Sequence, residues 1–136
     1  MKSPFFTVII PTYNRVDNLP LCLESVLSQT FTNFEIVIID NGSTDNTEKL
    51  ILENYNDSRI RYFWQEGSGR PANPRNQGIL KARGGWVALL DSDDVSYPEK
   101  VESVYDKIQS QPESDVICHN ERFCDQINQK THKILH

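Results

Sequence analysis

The chain has 136 residues, of which 38% are hydrophobic and 24% are charged, and its formal net charge is -5 at pH 7. This length predicts one domain with its own core over residues 1–136, and this composition excludes a disordered protein. The acidic balance argues against a nucleic-acid-binding protein, because such proteins need a basic surface.

The cysteines and the N-terminal region indicate the cellular compartment of the protein. Cys22, Cys118 and Cys124 are an odd number and lack the spacing of metal ligands, so a reducing compartment is the simpler interpretation. Pro4 and Pro11 interrupt the short N-terminal apolar segment, which therefore resembles neither a signal peptide nor a membrane span. We expect a cytoplasmic protein, with peripheral association with the inner face of the plasma membrane left open.

The first predicted elements are a strand, a helix and a second strand. The runs Phe5–Ile10 and Phe34–Ile39 lack the alternation of a strand with one wet face, so both predict buried parallel strands. Asn18 is a candidate cap for the helix, and Pro20 is tolerable in its first turn. The apolar residues at helical spacing are Leu19, Cys22, Leu23, Val26 and Leu27.

A second helix and a third strand follow. Thr44 or Asp45, together with Glu48, resembles a capping box that opens the helix. The run Ile60–Trp64 predicts a strand, and the arginines within and beside it favour an edge position. The predicted buried stripe of the second helix is Leu50, Ile51 and Tyr55.

The next part of the chain begins with a loop at Gly67–Asn73, predicted from its Gly and Pro content. Pro74–Ala82 predicts a short helix, and the apolar run Trp86–Leu90 predicts a fourth, buried strand. Ser96 and Glu99 form another capping box before a further helix. Its predicted core-facing residues are Val101, Val104, Tyr105 and Ile108.

The C-terminal part is less clearly patterned. Asp115–His119 predicts a fifth strand, and Glu121–His136 predicts a hairpin that turns near Asn128. Strands that alternate with helices predict an α/β fold, with right-handed βαβ units in a doubly wound, mainly parallel sheet that carries helices on both faces. Ligands of such sheets bind beyond the carboxyl ends of the strands.

The most informative motif is Asp91-Ser92-Asp93-Asp94, directly after the fourth predicted strand. Carboxylates this close repel one another, so they need a compensating cation or helix N-terminus. Mg²⁺ or Mn²⁺ takes oxygen ligands from one or two carboxylates and from phosphates. We therefore interpret Asp91 and Asp93 as candidate ligands of a metal ion that holds a diphosphate. The alternative, that these side chains only cap a turn, stays open.

Other polar residues follow the first two strands or precede the fourth. Tyr13 can stack on a base, Asp40 can accept hydrogen bonds from a base or a ribose, and the arginines can neutralise phosphate. Each residue type is also common in ordinary loops. These candidates are Pro11, Thr12, Tyr13, Asn14, Arg15, Asp40 and Arg75.

A dinucleotide-binding site is the weaker alternative. Gly67, Gly69 and Ala72 match a Gly-rich fingerprint, and Asp91 follows at the spacing of a ribose-binding acid. However, Pro71 interrupts the helix start that the fingerprint needs, and ribose recognition requires one acid rather than three. An oxidoreductase is therefore less well supported than a metal–diphosphate site.

Five motifs occur in order along the chain: Val8–Arg15, Leu23–Phe31, Ile39–Asp45, Arg75–Ile79 and Leu90–Asp94. Together they resemble family 2 glycosyltransferases of the Rossmann-like GT-A fold. The resemblance implies a nucleotide-diphospho-sugar donor, with a UDP-sugar as the default, and a Mg²⁺ or Mn²⁺ ion. It also implies inverting transfer to a saccharide or lipid-linked acceptor without a covalent intermediate, as in cell-wall or polysaccharide biosynthesis.

The resemblance also implies roles for individual residues. Asp93 would be the direct metal ligand, with Asp91 nearer the ribose or its waters. Asp40 would contact the base, and Arg75 would support the donor. The complete donor-binding set is Pro11, Thr12, Tyr13, Asn14, Arg15, Asp40, Arg75, Asp91 and Ser92.

The sequence also departs from the family pattern. Asn41 stands where many relatives have a second Asp, and Pro74 stands where Ala is common. The family places its general base well downstream of the acidic motif, and the spacing of Glu121 and Asp125 marks neither as that base. We therefore expect the N-terminal, donor-binding portion of a glycosyltransferase, truncated on the acceptor side, with a binding-only module as the alternative.

Overall fold

The computed structural model describes residues 2–119, 121–124 and 131–135. The chain contains two compact units, Met1–Glu102 and Ser103–His136. The elements in chain order are β1 (Phe6–Thr12), α1 (Leu19–Leu27), β2 (Phe34–Asp40), α2 (Thr47–Asn54), β3 (Ile60–Trp64), α3 (Ala72–Lys81), β4 (Trp86–Leu89), α4 (Lys100–Ser110), β5 (Glu121–Cys124) and β6 (Thr131–Leu135).

The first unit contains a four-stranded parallel sheet in the order β3-β2-β1-β4. The central strands β1 and β2 pair along their whole length, from Phe6 opposite Phe34 to Thr12 opposite Asp40. Their side chains are almost continuously buried, as their apolar runs without alternation predict. The predicted α/β fold class is confirmed.

Helices cover both faces of this sheet. The chain moves from β1 to β2 to β3 in one direction, and then α3 carries it back across β2 and β1 to β4. Because parallel crossovers are right-handed, this reversal places α3 on the face opposite α1 and α2. Gly78 permits close packing of α3 on β1, because a Cβ at this position would collide with the side chain of Ile9.

The two outer strands differ in how well the sequence predicted them. β3 lies at an edge, as its arginines indicated. β4 was predicted to be buried, but in the described sheet it pairs with β1 alone, and Val87 and Leu89 are 39% and 50% exposed. The prediction of a strand is confirmed, whereas the prediction of burial is wrong for one face. An apolar run does not reveal which of its faces is covered.

The predicted helices form, but their predicted caps do not. Asn18 precedes α1 without a side-chain capping bond. The box predicted before α2 is also wrong, because Asn46 is the N-cap and the carboxylate of Asp45 instead accepts hydrogen bonds from the N–H and hydroxyl of Thr47. Local hydrogen bonding within the loop has replaced the reciprocal box. In α2, Thr47 and Ile51 are the buried residues.

The remaining two helices begin at positions that the sequence did not indicate. α3 begins at Ala72, two residues before Pro74, and ends at Lys81. α4 begins at Lys100, so the capping box of Ser96 and Glu99 is wrong. The N–H of Ser96 instead donates to Ser25 Oγ on α1. The capping box assigned the Ser96 N–H to the side chain of Glu99. In the structure this N–H forms a tertiary contact instead.

The second unit contains an antiparallel hairpin of β5 and β6. The fifth strand predicted at residues 115–119 is wrong, because these residues form no strand and Val116 is 76% exposed. The strands of the predicted hairpin are present, and its predicted turn near Asn128 lies outside the described residues. Within residues 2–119, 121–124 and 131–135, none of the helices is both long enough and apolar enough to span a membrane.

Candidate functional site

A cavity of about 710 Å³ opens where β1, β2 and β4 end. In open parallel sheets this edge is the usual ligand site, and volumes of about 300–1,000 Å³ are typical of small-molecule pockets. The lining comes from the loops after these strands, from the loop between β3 and α3, and from the N-terminal part of α3. It consists of Pro11, Thr12, Tyr13, Arg15, Asn41, Gly42, Gly67, Gly69, Arg70, Pro71, Pro74, Arg75, Asp91, Ser92 and Asp93.

The acidic turn, Asp91–Asp94, contributes two carboxylates to this cavity. The N–H of Asp94 donates to the carbonyl of Asp91 over 3.0 Å and closes the turn. The side chains of Asp91 and Asp93 are about half-exposed. Arg75 donates to Asp91 Oδ1 over 2.6 Å, and Arg15 lies 3.8 Å from Asp93 Oδ2. Two arginines therefore supply part of the compensation that we had assigned to a metal ion alone.

The two carboxylates fit a divalent ion that takes its other ligands from phosphate and water. Mg²⁺ is commonly bound in this way, through one or two carboxylates and a substrate phosphate. In the part of the chain that the structure describes, no three His, Cys, Asp or Glu side chains form a complete metal cage. The oxygen donors of Asp91 and Asp93 suit Mg²⁺ or Mn²⁺, and Asp93 has the longer contact to its arginine.

Three guanidinium groups line the same cavity, and the sequence analysis missed one of them, Arg70. Its side chain makes no ion pair or hydrogen bond with the described residues. A close approach of two backbones brings its loop to β2, since a Cβ on Gly42 would lie 2.7 Å from the nitrogen of Gly67. No local pattern predicts this approach, so no sequence signal could have placed Arg70 in the cavity.

Asn41 is a second cavity residue that the sequence analysis did not select. Its Oδ1 accepts hydrogen bonds from Gln65 Nε2 over 2.8 Å, from the Ser68 N–H over 3.2 Å and from Ser68 Oγ over 3.1 Å. Gln65 also donates to Asn73 at the start of α3. The side chain of Asn41 therefore holds the loop that carries Arg70 against the end of β2.

Asp40 is fully buried and is not among the residues that line the cavity. Its Oδ1 accepts a hydrogen bond from the Ser43 N–H over 2.8 Å, and its Oδ2 accepts one from the hydroxyl of Tyr62 over 2.6 Å. Burial and this bond to Asp40 both raise the pKa of Tyr62. Each oxygen of Asp40 therefore has one partner within the protein, and the contact between Asp40 and a base stays a prediction.

Asn14 was also predicted to bind the donor. It has a φ of 49°, in the left-handed region, and does not line the cavity. Its Oδ1 accepts hydrogen bonds from the N–H groups of Thr44 over 2.8 Å and Asp45 over 3.2 Å. Asn14 therefore joins the loop after β1 to the loop after β2, which positions the neighbouring cavity residues.

Thr12 and Tyr13 do line the cavity. Thr12 is 3% exposed, and its hydroxyl oxygen is buried without a hydrogen-bond partner among the described residues. A buried hydroxyl without a partner costs free energy. Tyr13 is 56% exposed and offers a ring for stacking. The other predicted lining residues that reach the cavity are Pro11, Arg15, Arg75, Asp91, Ser92 and Asp93.

Comparison with known proteins shows the family of the chain. The family described as Glycosyl transferase family 2 matches residues 7–136. The chain belongs to glycosyltransferase family 2. A Rickettsia felis protein described as an uncharacterized glycosyltransferase is 51% identical over 96 residues, which are 71% of this chain and 16% of that protein. This family 2 chain therefore spans a small part of that relative.

Two solved structures resemble this family 2 chain. S. aureus TarS in complex with UDP-GlcNAc is 32% identical with a TM-score of 0.73, over 77% of this chain and 31% of that one. The mannosyltransferase PcManGT from Pyrobaculum calidifontis, in complex with GDP-Man and Mn²⁺, is 26% identical with a TM-score of 0.63, over 69% of this chain and 29% of that one. Both are GT-A glycosyltransferases, which confirms the predicted fold family.

Proposed function

We propose that this family 2 chain binds a nucleotide-diphospho-sugar in its cavity, as the donor-binding portion of an inverting glycosyltransferase. A Mn²⁺ or Mg²⁺ ion would be held by Asp93 and Asp91 and by the diphosphate. One observation carries the proposal: two carboxylates and three guanidinium groups line one cavity beyond the carboxyl ends of the parallel strands.

The charges of the cavity explain why both kinds of group are needed. A diphosphate beside Asp91 and Asp93 alone would be repelled, by roughly 4 kcal/mol for each pair of unit charges 4 Å apart at an effective dielectric of about 20. Arg15 and Arg75 are already engaged with these carboxylates. A divalent ion would supply the remaining positive charge and stabilise the departing nucleotide diphosphate as a Lewis acid.

The other lining residues suit the nucleoside. Tyr13 has an exposed ring, and both Tyr13 and Thr12 line the cavity. The bound UDP-GlcNAc of TarS and the bound GDP-Man and Mn²⁺ of PcManGT support a nucleotide-sugar donor and a metal ion.

We propose a UDP-sugar, a saccharide or lipid-linked acceptor and a cytoplasmic location.

Thermal unfolding with and without Mn²⁺ tests the donor site. UDP at 100 times its dissociation constant is expected to add about 2.7 kcal/mol to the free energy of unfolding. We expect this gain with Mn²⁺, and a much smaller gain without it or in Asp93→Asn. Asp115→Asn, which removes an exposed carboxylate outside the cavity, is the matched control. Equal stabilisation by UDP with and without Mn²⁺ would contradict the proposal, as would metal-independent stabilisation by NAD.

A turnover assay separates an enzyme from a binding-only module. Inverting transfer needs a base that takes the proton of the acceptor hydroxyl. None of the cavity residues is assigned this role here, so we propose that the 136 residues bind the donor without transferring its sugar. Donor- and acceptor-dependent turnover by the purified 136-residue chain would show that the base is present within it.

A further inference from the structure

One polar face of α1 contacts the backbone of the segment that follows β4. Cys22, Ser25 and Gln29 are spaced at i, i+3 and i+7, which places them on one side of α1 and of the turn that extends it. The thiol of Cys22 donates to the carbonyl of Asp91 over 3.5 Å, and Ser25 Oγ accepts from the N–H of Ser96 over 3.1 Å.

Gln29 makes the shortest of these contacts. Its Nε2 donates to the carbonyl of Tyr97 over 2.6 Å and to that of Ser25 over 3.0 Å, and its Oε1 accepts from the N–H of Val101 over 2.9 Å. Gln29 is 4% exposed and does not line the cavity, so a ligand in the cavity does not reach it. Such a buried amide is tolerated because all of these bonds are made.

The segment after β4 depends on these contacts, because its backbone hydrogen bonds to the sheet end at Leu90. The last backbone bond between this segment and the sheet runs from the N–H of Leu90 to the carbonyl of Ile9. β4 is an edge strand of the described sheet, so β1 supports it from one side alone. Beyond Leu90, the contacts with Cys22, Ser25 and Gln29 join the backbone of residues 91–101 to α1 and the turn after it. The N–H of Thr30 adds a backbone bond to the carbonyl of Pro98 in the same segment.

We propose that Cys22, Ser25 and Gln29 are positioning residues that hold the acidic turn where its carboxylates can share a divalent ion with the donor diphosphate. This inference rests on the proposed function. Metal coordination tolerates errors of only about 0.2 Å in ligand distances. A displaced acidic turn therefore weakens the metal-dependent part of donor binding before it weakens the fold or the nucleoside contacts.

The test compares Gln29→Met, which keeps the length of the side chain and removes its hydrogen bonds, with wild type. We expect the gain in UDP affinity on adding Mn²⁺ to fall about tenfold, while UDP affinity without metal and uridine affinity stay within about twofold. Amide hydrogen exchange at Val101 should become faster. Gln109→Met, an exposed change on α4, is the matched control.

Ser25 provides a milder second test that does not depend on the stability of Gln29→Met. Ser25→Ala removes the acceptor of the Ser96 N–H, whereas Ser25→Thr keeps a hydroxyl. We expect faster exchange at Ser96 and a smaller Mn²⁺-dependent gain in UDP affinity in the first variant, with recovery in the second.

The outcomes distinguish this inference from the proposed function. Wild-type protein that binds UDP without any effect of Mn²⁺ overturns both. A normal Mn²⁺-dependent gain in wild type, Gln29→Met and Ser25→Ala overturns the positioning role alone. An equal loss of metal-free and metal-dependent affinity also overturns it, because this pattern indicates general damage to the fold.

Discussion

The guanidinium of Arg75 lies 2.6 Å from Oδ1 of Asp91 and joins the N-terminal part of α3 to the acidic turn after β4. The two side chains are 35% and 47% exposed, so the pair contributes little to stability. Its place at the cavity gives it more influence on binding, because a guanidinium also forms strong hydrogen bonds with phosphate.

Replacing Arg75 should separate binding from stability. Arg75→Gln is expected to weaken UDP binding about tenfold and to change the free energy of unfolding by less than about 1 kcal/mol. Calorimetric titration and thermal unfolding measure the two effects. Arg59→Gln removes an ion pair with Asp57 outside the cavity and should bind UDP like wild type. Equal loss of UDP affinity in both variants would count against a phosphate contact.

Arg70 is expected to contact phosphate rather than the nucleoside, since its guanidinium has no partner among the described residues. Arg70→Gln should weaken UDP binding about tenfold and leave uridine binding unchanged. Parallel titrations with UDP and uridine measure the difference, and raising the salt concentration should reduce it. Arg83→Gln changes an exposed arginine outside the cavity and serves as the control. A similar loss for uridine would contradict the assignment.

Two glycines provide a matched test of helix packing on the sheet. A Cβ at Gly78 would collide with Ile9, whereas a Cβ at Gly85 meets nothing within 4 Å. Gly78→Ala is therefore expected to lower the free energy of unfolding by about 1–3 kcal/mol through overpacking. Gly85→Ala should change it by less than about 0.5 kcal/mol. Chemical unfolding of both variants measures the difference, and equal stability would disprove the close contact between α3 and β1.

Glu35 should make the stability of the protein dependent on pH in acid. Burial raises the pKa of this carboxyl, but hydrogen bonds from Thr7, the Arg83 N–H and Arg61 outweigh burial and leave the pKa below its ordinary value of 4.5. The fold therefore favours the ionised form. Its stabilisation is complete above about pH 4.5 and is lost as the pH falls below that value.

The variant Glu35→Gln tests this linkage. It is expected to lower the free energy of unfolding at pH 7 by about 2 kcal/mol, because the charge-assisted bond with Arg61 is lost. It should also reduce the acid dependence of stability. Urea unfolding at several pH values measures both effects. Glu53→Gln, an exposed change on α2, should retain the acid dependence of wild type.

The central strands could be predicted because a run of consecutive apolar residues indicates that both faces of a strand are buried. The runs that became β1 and β2 are apolar on both faces, which is typical of a parallel strand covered on both sides. The run that became β4 is also apolar without alternation, yet Val87 and Leu89 are exposed. The difference depends on which element packs against each face, and a local pattern does not contain that information.

The predictions of the helix caps were wrong for a related reason. The sequence places Ser96 and Glu99 at the spacing of a capping box, but Ser25 accepts the hydrogen bond of the Ser96 N–H from 71 residues away in sequence. Likewise, Asp40 was predicted to face a ligand, and Tyr62 and Ser43 occupy its oxygens. Polar groups form hydrogen bonds with the partners that the folded chain places best, and these need not be the ones that a local sequence pattern indicates.

The amino-acid sequence by itself determined the family, the parallel sheet and the pairing of an acidic motif with the end of a strand, because each depends on short runs of neighbouring residues. The tertiary structure decided which side chains share the cavity: it brought in Arg70 and Asn41 and buried Asp40. It also joined Gln29 to the backbone of Tyr97 and Val101, in the segment that follows the acidic turn. These outcomes depend on contacts between residues far apart in the chain, and they form only when the strands and helices pack.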